Sequence, residues 1–166
     1  MSLDGYIATK DGRFDWIVGD GDQALNTKYF WNYSKFLESV GTVIMGSHCY
    51  KQGLHKDFNT KNVYVATSEK LNDEKTVHFI HGDITNIVVK VAKNSDKNIF
   101  VFGGGGLVHN FLKKNVIDEY YVGIVPVILG NGIPLFHRTH STIKLHLVEI
   151  MSENGIVVLK YVKRKH

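Results

Sequence analysis

The stretch Ile99-Phe-Val-Phe-Gly-Gly-Gly-Gly-Leu-Val108 runs an apolar, strand-like segment into four consecutive glycines and then into residues of helical spacing. A turn without Cβ atoms can take positive φ and lets phosphate oxygens approach backbone N–H groups, while a helix starting there adds partial positive charge. A pyrophosphate suits such a turn. The GxGxxG fingerprint is not met, because Val108 stands where its last glycine belongs, and the Lys and Ser/Thr pair of a P-loop is absent. A tight crossover is the other use for the four glycines, but so many in succession cost backbone entropy that a mere turn does not require.

A second candidate is Val43-Ile-Met-Gly-Ser-His-Cys49, again an apolar run that stops at glycine. Ser47, His48 and Cys49 offer hydroxyl, imidazole and amide donors, and Thr67 and Ser68 follow the next apolar run in the same way. Each alone reads equally as a solvated turn. Placed together after successive strands, they stand at the carboxyl edge, where open α/β sheets bind ligands. A third candidate is the opening Met1-Ser-Leu-Asp-Gly-Tyr-Ile-Ala8, in which Asp4 is either a chemical group or, as Asp-Gly turns allow, a side chain bonded to backbone.

The elements that must position these residues follow from periodicity. Apolar residues at 29, 30, 33, 36, 37 and 40 predict an amphipathic helix over Thr27 to Val40, capped by Asn26 or Thr27 and ended by Gly41. Thr42 to Met45, Val63 to Ala66, Val77 to Ile80 and Ile99 to Phe102 read as buried strands. Ile84, Ile87, Val88, Val91 and Ala92 form a helical stripe capped by Asp83, and a further helix follows the glycines and stops near Asn115. Alternation of this kind implies a mainly parallel sheet with right-handed crossovers, flanked by helices. Tyr120 to Val127, Thr142 to Ile150 and Ile156 to Val162 lack intervening helical patterns, and Asn154-Gly155 is a type I′ hairpin dipeptide, so the C-terminal edge is expected to be antiparallel.

The 166 residues suit a single domain, 1–166, with 43% hydrophobic and 22% charged residues. Twenty basic against sixteen acidic residues leave +4, a mild field with one basic cluster in the tail at Lys160, Lys163, Arg164 and Lys165. That suits an anionic small molecule and gives no ground for a nucleic-acid partner. The lone Cys49 can form neither an internal disulfide nor a thiolate zinc cage, which favours a reduced, cytoplasmic setting. No apolar run approaches the roughly 20 residues a spanning helix needs, and no signal peptide opens the chain, so no membrane partner is expected. The pairs His78/His81 and His137/His140 have i, i+3 spacing but no nearby carboxylates; no metal is expected.

SLDGYIA at 2–8, TVIMG at 42–46, VFGGGGLV at 101–108 and DEYYVGIVPVILGNGIPLF at 118–136 resemble, in that order and spacing, the reductases that share the dihydrofolate reductase-like fold and include the C-terminal reductase domain of riboflavin-biosynthesis enzymes. The resemblance covers most of the chain. It implies NADPH lying across the carboxyl edge of a mainly parallel sheet, with Phe102, Gly103, Gly104, Gly105, Gly106, Leu107 and Val108 around the pyrophosphate. Gly46, Ser47, His48, Cys49, Thr67 and Ser68 would face the adenosine and its phosphate, and Ile7 and Ala8 would border the nicotinamide. It also implies hydride transfer to a small conjugated or C=N substrate of pteridine or pyrimidine type, and a homodimer paired through the apolar C-terminal strands.

Departures from that pattern matter as well. Ser47 stands where an arginine is common, so NADH is not excluded, and His48, Lys51 and Lys70 are the substitute cations. No acid stands among Tyr29, Phe30 and Trp31, where folate reductases carry one, which leaves Asp4, Asp22 and Tyr29 as the catalytic candidates, with Asp20 able to swing in. Trp16, Tyr29, Phe30 and Tyr33 would line or lid the substrate space, although Phe30 and Tyr33 also fit the helix's core stripe. Tyr6 follows the DG pair where riboflavin reductases often carry a basic residue. The family's buried strand before SLDG is present only as a remnant, so upstream residues are expected to be missing. The alternatives are the riboflavin-pathway 5-amino-6-(5-phosphoribosylamino)uracil reductase itself and a non-catalytic dinucleotide-binding module.

Overall fold

The computed structural model describes residues 1–138 and 142–164. His140 and Lys165, and with them the His137/His140 pair and the end of the basic tail, lie outside the described residues. The chain divides into two compact units, Tyr33–Lys114 and Met1–Asn32 with Asn115–His166. Its elements are β1 (Tyr6–Ala8), α1 (Tyr33–Glu38), β2 (Val40–Gly46), α2 (Ser47–Lys51), β3 (Asn62–Ala66), β4 (Val77–Ile80), α3 (Ile84–Lys93), β5 (Asn98–Gly103), α4 (Gly105–Lys113), β6 (Glu119–Ile124), β7 (Ile133–Pro134), β8 (Leu145–Glu153) and β9 (Ile156–Lys163), with a 3₁₀ turn at Leu54–Phe58.

The unit 33–114 is the expected parallel sheet, in the order β4-β3-β2-β5. Thr42, Val43, Ile44 and Met45 are all buried, as an interior parallel strand covered on both faces requires. Phe58 from the 3₁₀ turn enters the core beside Val40, Val43, Met45, Val63, Val65 and Val77, and its ring lies 5.3 Å edge-on to Phe102. Asp83 caps α3 by accepting the Asn86 N–H, and its other oxygen takes the Lys114 ammonium.

The first helix departs from expectation. Residues 27–32 are not helical, α1 is only six residues long, and Gly41 lies inside β2. Tertiary bonds outbid the helical pattern. Thr27 Oγ1 donates to the Tyr29 carbonyl and accepts the Ser152 N–H at 2.9 Å, and Asn26 Oδ1 accepts the Asn154 N–H at 2.8 Å, so neither caps a helix. Tyr29, Phe30 and Tyr33 are exposed; of the predicted stripe, Phe36 and Leu37 pack on the core and Val40 is buried in it, but on β2. Gly41 serves a close approach instead, since a Cβ there would sit 3.0 Å from Lys97 Cβ.

The other unit holds an antiparallel sheet in the order β6-β9-β8 and the small pair β1-β7. Asn154 (φ 52°) and Gly155 (φ 79°) make the I′ hairpin between β8 and β9. Segment 19–27 lies on that hairpin: a Cβ at Gly19 would fall 2.0 Å from the Asn154 carbonyl oxygen, and one at Gly155 2.2 Å from Asp20 Oδ1. The β6 ladder ends at Ile124, short of the expected Val127, and β8 begins at Leu145 and runs on to Glu153. Beyond β6, Leu3 donates to the Val127 carbonyl at 2.7 Å and Val125 to that of Met1 at 2.9 Å, so the first residues run alongside 123–127.

Phe58 is 1% exposed and packs in the apolar cluster of this unit. Phe58→Ala should cost about 3–5 kcal/mol and lower the melting temperature by roughly 10 °C, as thermal circular dichroism will read.

Candidate functional site

The parallel registers bring the predicted residues of the unit 33–114 to one edge. Gly46 is paired with Ala66, and Met45 with Gly103, so β2, β3 and β5 end level with one another. Ser47, Thr67 and Gly104 are the next residues on the three strands. A Cβ at Gly46 would lie 4.0 Å from both the Gly103 carbonyl oxygen and the Gly104 nitrogen, which puts the end of β2 directly beside the glycine turn.

Within the turn, the glycines differ in what they are for. Gly103 has φ +127°, a conformation open to glycine, and the Gly103–Gly104 peptide is cis. At Gly104 and Gly106 the backbone allows a side chain, and an added Cβ would meet nothing within 4 Å. Gly105, Leu107 and Val108 are buried, and the Leu107 and Val108 N–H groups donate to the Gly104 carbonyl at 3.0 and 3.1 Å. Leu107 and Val108 therefore root α4 in the interior, while Gly104 and Gly106 border open space.

Ser47, His48 and Cys49 stand on α2, which starts directly after Gly46 and had no signal in the apolar periodicity, being a helix of five residues. Burial pushes the Cys49 thiol above its ordinary value, against the pull of hydrogen bonds from the Gly46 and Gly104 backbone. A thiol whose proton is held in this way by burial is a packing group rather than a nucleophile. After β3, Thr67 donates its N–H to the Ile80 carbonyl at 3.1 Å, its Oγ1 accepts from Glu69 at 3.0 Å, and its carbonyl faces His81 Nδ1 at 3.1 Å. Glu69 in turn pairs with Lys51 of α2, a contact that needed the fold to be seen. His78 is held by Asp73 at 2.8 Å, so His78 and His81 are engaged separately. Among the described residues no three His, Cys, Asp or Glu side chains gather as a metal site.

The remaining candidates lie in the other unit. Ile7 and Ala8 are on β1, where Ala8 is paired with Ile133 and Gly132 packs so closely that a Cβ would fall 2.3 Å from the Ala8 carbonyl oxygen. Asp4 is committed to backbone: its carboxylate accepts the Leu129 and Gly130 N–H groups at 3.1 and 2.7 Å. The Ser2 hydroxyl and those two amides hold its carboxyl below the ordinary carboxylate value. Asp22 accepts from Ala24 in a local turn and Asp20 from Asp22, while Tyr29 is 70% exposed with the Lys28 ammonium over its ring.

The chain belongs to the RibD C-terminal domain family, which it matches over residues 1–158. It is 34% identical to the uncharacterized protein YwjB of Bacillus subtilis over 98% of this chain and 94% of that one. It is 21% identical to the riboflavin biosynthesis protein RibD of Corynebacterium ammoniagenes, of which it spans 46%. In structure it superposes on a protein from Shewanella sp. PV-4 assigned to riboflavin biosynthesis with a TM-score of 0.81 at 24% identity, covering 99% and 96% of the two chains. It superposes on the dihydrofolate reductase of Enterococcus faecalis, solved with NADP(H), with a TM-score of 0.69 at 15% identity, covering 99% and 93%. The fold is therefore dihydrofolate reductase-like, mixed α/β with a parallel central sheet and antiparallel strands. Among the described residues no helix is long and apolar enough to cross a membrane.

Because the Asp4 carboxyl is held low, its clamp on Leu129 and Gly130 should be present at neutral pH, persist through the ordinary carboxylate range near about 3.9, and be lost only on further acidification. Amide hydrogen exchange at Leu129 and Gly130 should follow that course in the unaltered chain. In Asp4→Ala, which removes both acceptor oxygens, the protection should be lost at every pH.

Proposed function

We propose that the chain, as a single domain over 1–166, is a reductase that uses NADPH, with NADH not excluded, to reduce a small conjugated or C=N compound of pteridine or pyrimidine type. The observation that carries this reading is the open space over Gly104 and Gly106. Packing within the chain leaves room for side chains at both positions, so the demand for bare backbone is attributed to a ligand approaching it closely, and a diphosphate at the start of α4 meets that demand. The family match and the fold support the same reading.

In this reading Gly103 to Gly106 hold the pyrophosphate, with Phe102, Leu107 and Val108 supporting the turn. Gly46, Ser47, His48, Cys49, Thr67 and Ser68 serve the adenosine end, and Ile7 and Ala8 border the nicotinamide. The bound dinucleotide supplies a hydride. The protein's own part is to hold that cofactor and its substrate and to exclude water. Asp4 is occupied by backbone donors and Asp22 by a local turn, so neither is assigned proton transfer; water is the proposed proton source.

Tryptophan fluorescence during separate titrations with NADPH and NADH tests the reading, and failure of both to bind overturns it. Gly104→Ala should leave stability within about 1 kcal/mol, since the new methyl meets no neighbour, yet weaken NADPH at least tenfold, about 1.4 kcal/mol of binding.

A homodimer is part of the proposal. In the sheet order β6-β9-β8, β8 is the last strand, with Thr27 bonded to it at Ser152, and Leu147, Val148 and Ile150 on it are exposed. Light scattering should give about two chain masses for the unaltered protein. It should give one for Ile150→Lys, which places a charge on the edge.

A further inference from the structure

We propose that the Lys51–Glu69 ion pair makes the protein nearly indifferent to the ribose 2′-phosphate, with Glu69 as the residue that holds down preference for NADPH. This rests on the dinucleotide reading above and concerns only its adenosine end. Gly46 and Ala66 are paired in register, so Ser47 and Thr67 leave neighbouring strands side by side. Lys51 follows Ser47 by four residues in α2, the spacing that puts two side chains on one helix face. Glu69 is folded back toward the same edge, its N–H donating to Thr67 Oγ1 at 3.0 Å. The Lys51 ammonium meets Glu69 Oε1, and the pair bridges α2 to the segment after β3.

The pair has consequences of sign. A phosphate monoester carries about −1.5 to −2 charge, so it gains from Lys51 and loses to Glu69 by comparable amounts. Ser47 and Thr67 contribute hydroxyls there, which serve a ribose hydroxyl as readily as a phosphate. A carboxylate beside a ribose also accepts from a free 2′-hydroxyl, the group NADH has and NADPH lacks. Both side chains are about half exposed, at 57% and 49%, and an ion pair so exposed is weakly held, so either partner can be recruited by a ligand. Specificity is a difference of two affinities, and here one residue attracts the phosphate while its partner repels it.

Titrations of the full chain with NADPH and with NADH, following tryptophan fluorescence, test this on Glu69→Gln and Lys51→Gln. The unaltered protein should bind the two dinucleotides within about tenfold of each other. Glu69→Gln should tighten NADPH about tenfold without tightening NADH, and Lys51→Gln should weaken NADPH severalfold and leave NADH unchanged. Both positions are exposed, and an unchanged melting temperature will confirm that each variant is folded. An unaltered NADPH-to-NADH ratio in Glu69→Gln, or a shift of both dinucleotides by the same factor in either variant, overturns the proposal. Failure of the unaltered protein to bind either dinucleotide removes the reading beneath it, and that outcome is seen before any variant is made.

Discussion

Parallel pairing is the constraint on which the candidate site depends. In a parallel ladder every strand delivers its carboxyl end to the same edge, and the registers Gly46 with Ala66 and Met45 with Gly103 make three of those ends level. The loops that follow must then crowd together, whatever their sequence separation. Residues 46–49, 67–68 and 103–106 become neighbours for that reason alone. The shift in register between Ile44 and Met45 advances Gly103 on its partner, so the turn opens beside Gly46 rather than beyond it.

The unit of residues 1–32 and 115–166 is organised by a different kind of bond. Its first strand is short, and what holds it is a set of side chain to backbone contacts across more than a hundred residues of sequence. Asp4 takes the amides of Leu129 and Gly130, Thr27 exchanges bonds with Ser152, and Asn26 takes the amide of Asn154. Short polar side chains supply what a ladder supplies elsewhere: partners for backbone groups in loops. Gly19, Gly132 and Gly155 allow the chains to approach closely at those seams.

The same kind of bond accounts for a residue that looked chemical. Asp4 has the type and setting of a catalytic acid, but an acceptor already shared among a hydroxyl and two amides is a clamp. Cys49 is half-buried, and that burial keeps its thiol protonated, as a packing group's is. Glu69 carried no signal of its own, because an exposed acid after a strand is ordinary until its partner is known.

What the amino-acid order determined by itself was local. The β-branched runs, the stripe behind Asp83, the Asn154-Gly155 hairpin and the glycine turn before α4 are each set by side-chain shape and backbone freedom over a few residues, and each formed near where it was expected. Tertiary structure decided whatever depends on a distant partner. It shortened the first helix to Tyr33–Glu38, since Thr27 and Asn26 gain more from residues 152 and 154 than from a helical turn. It also turned Asp4 toward residues 129 and 130 and joined Lys51 to Glu69, contacts between groups that periodicity cannot pair because no period relates them.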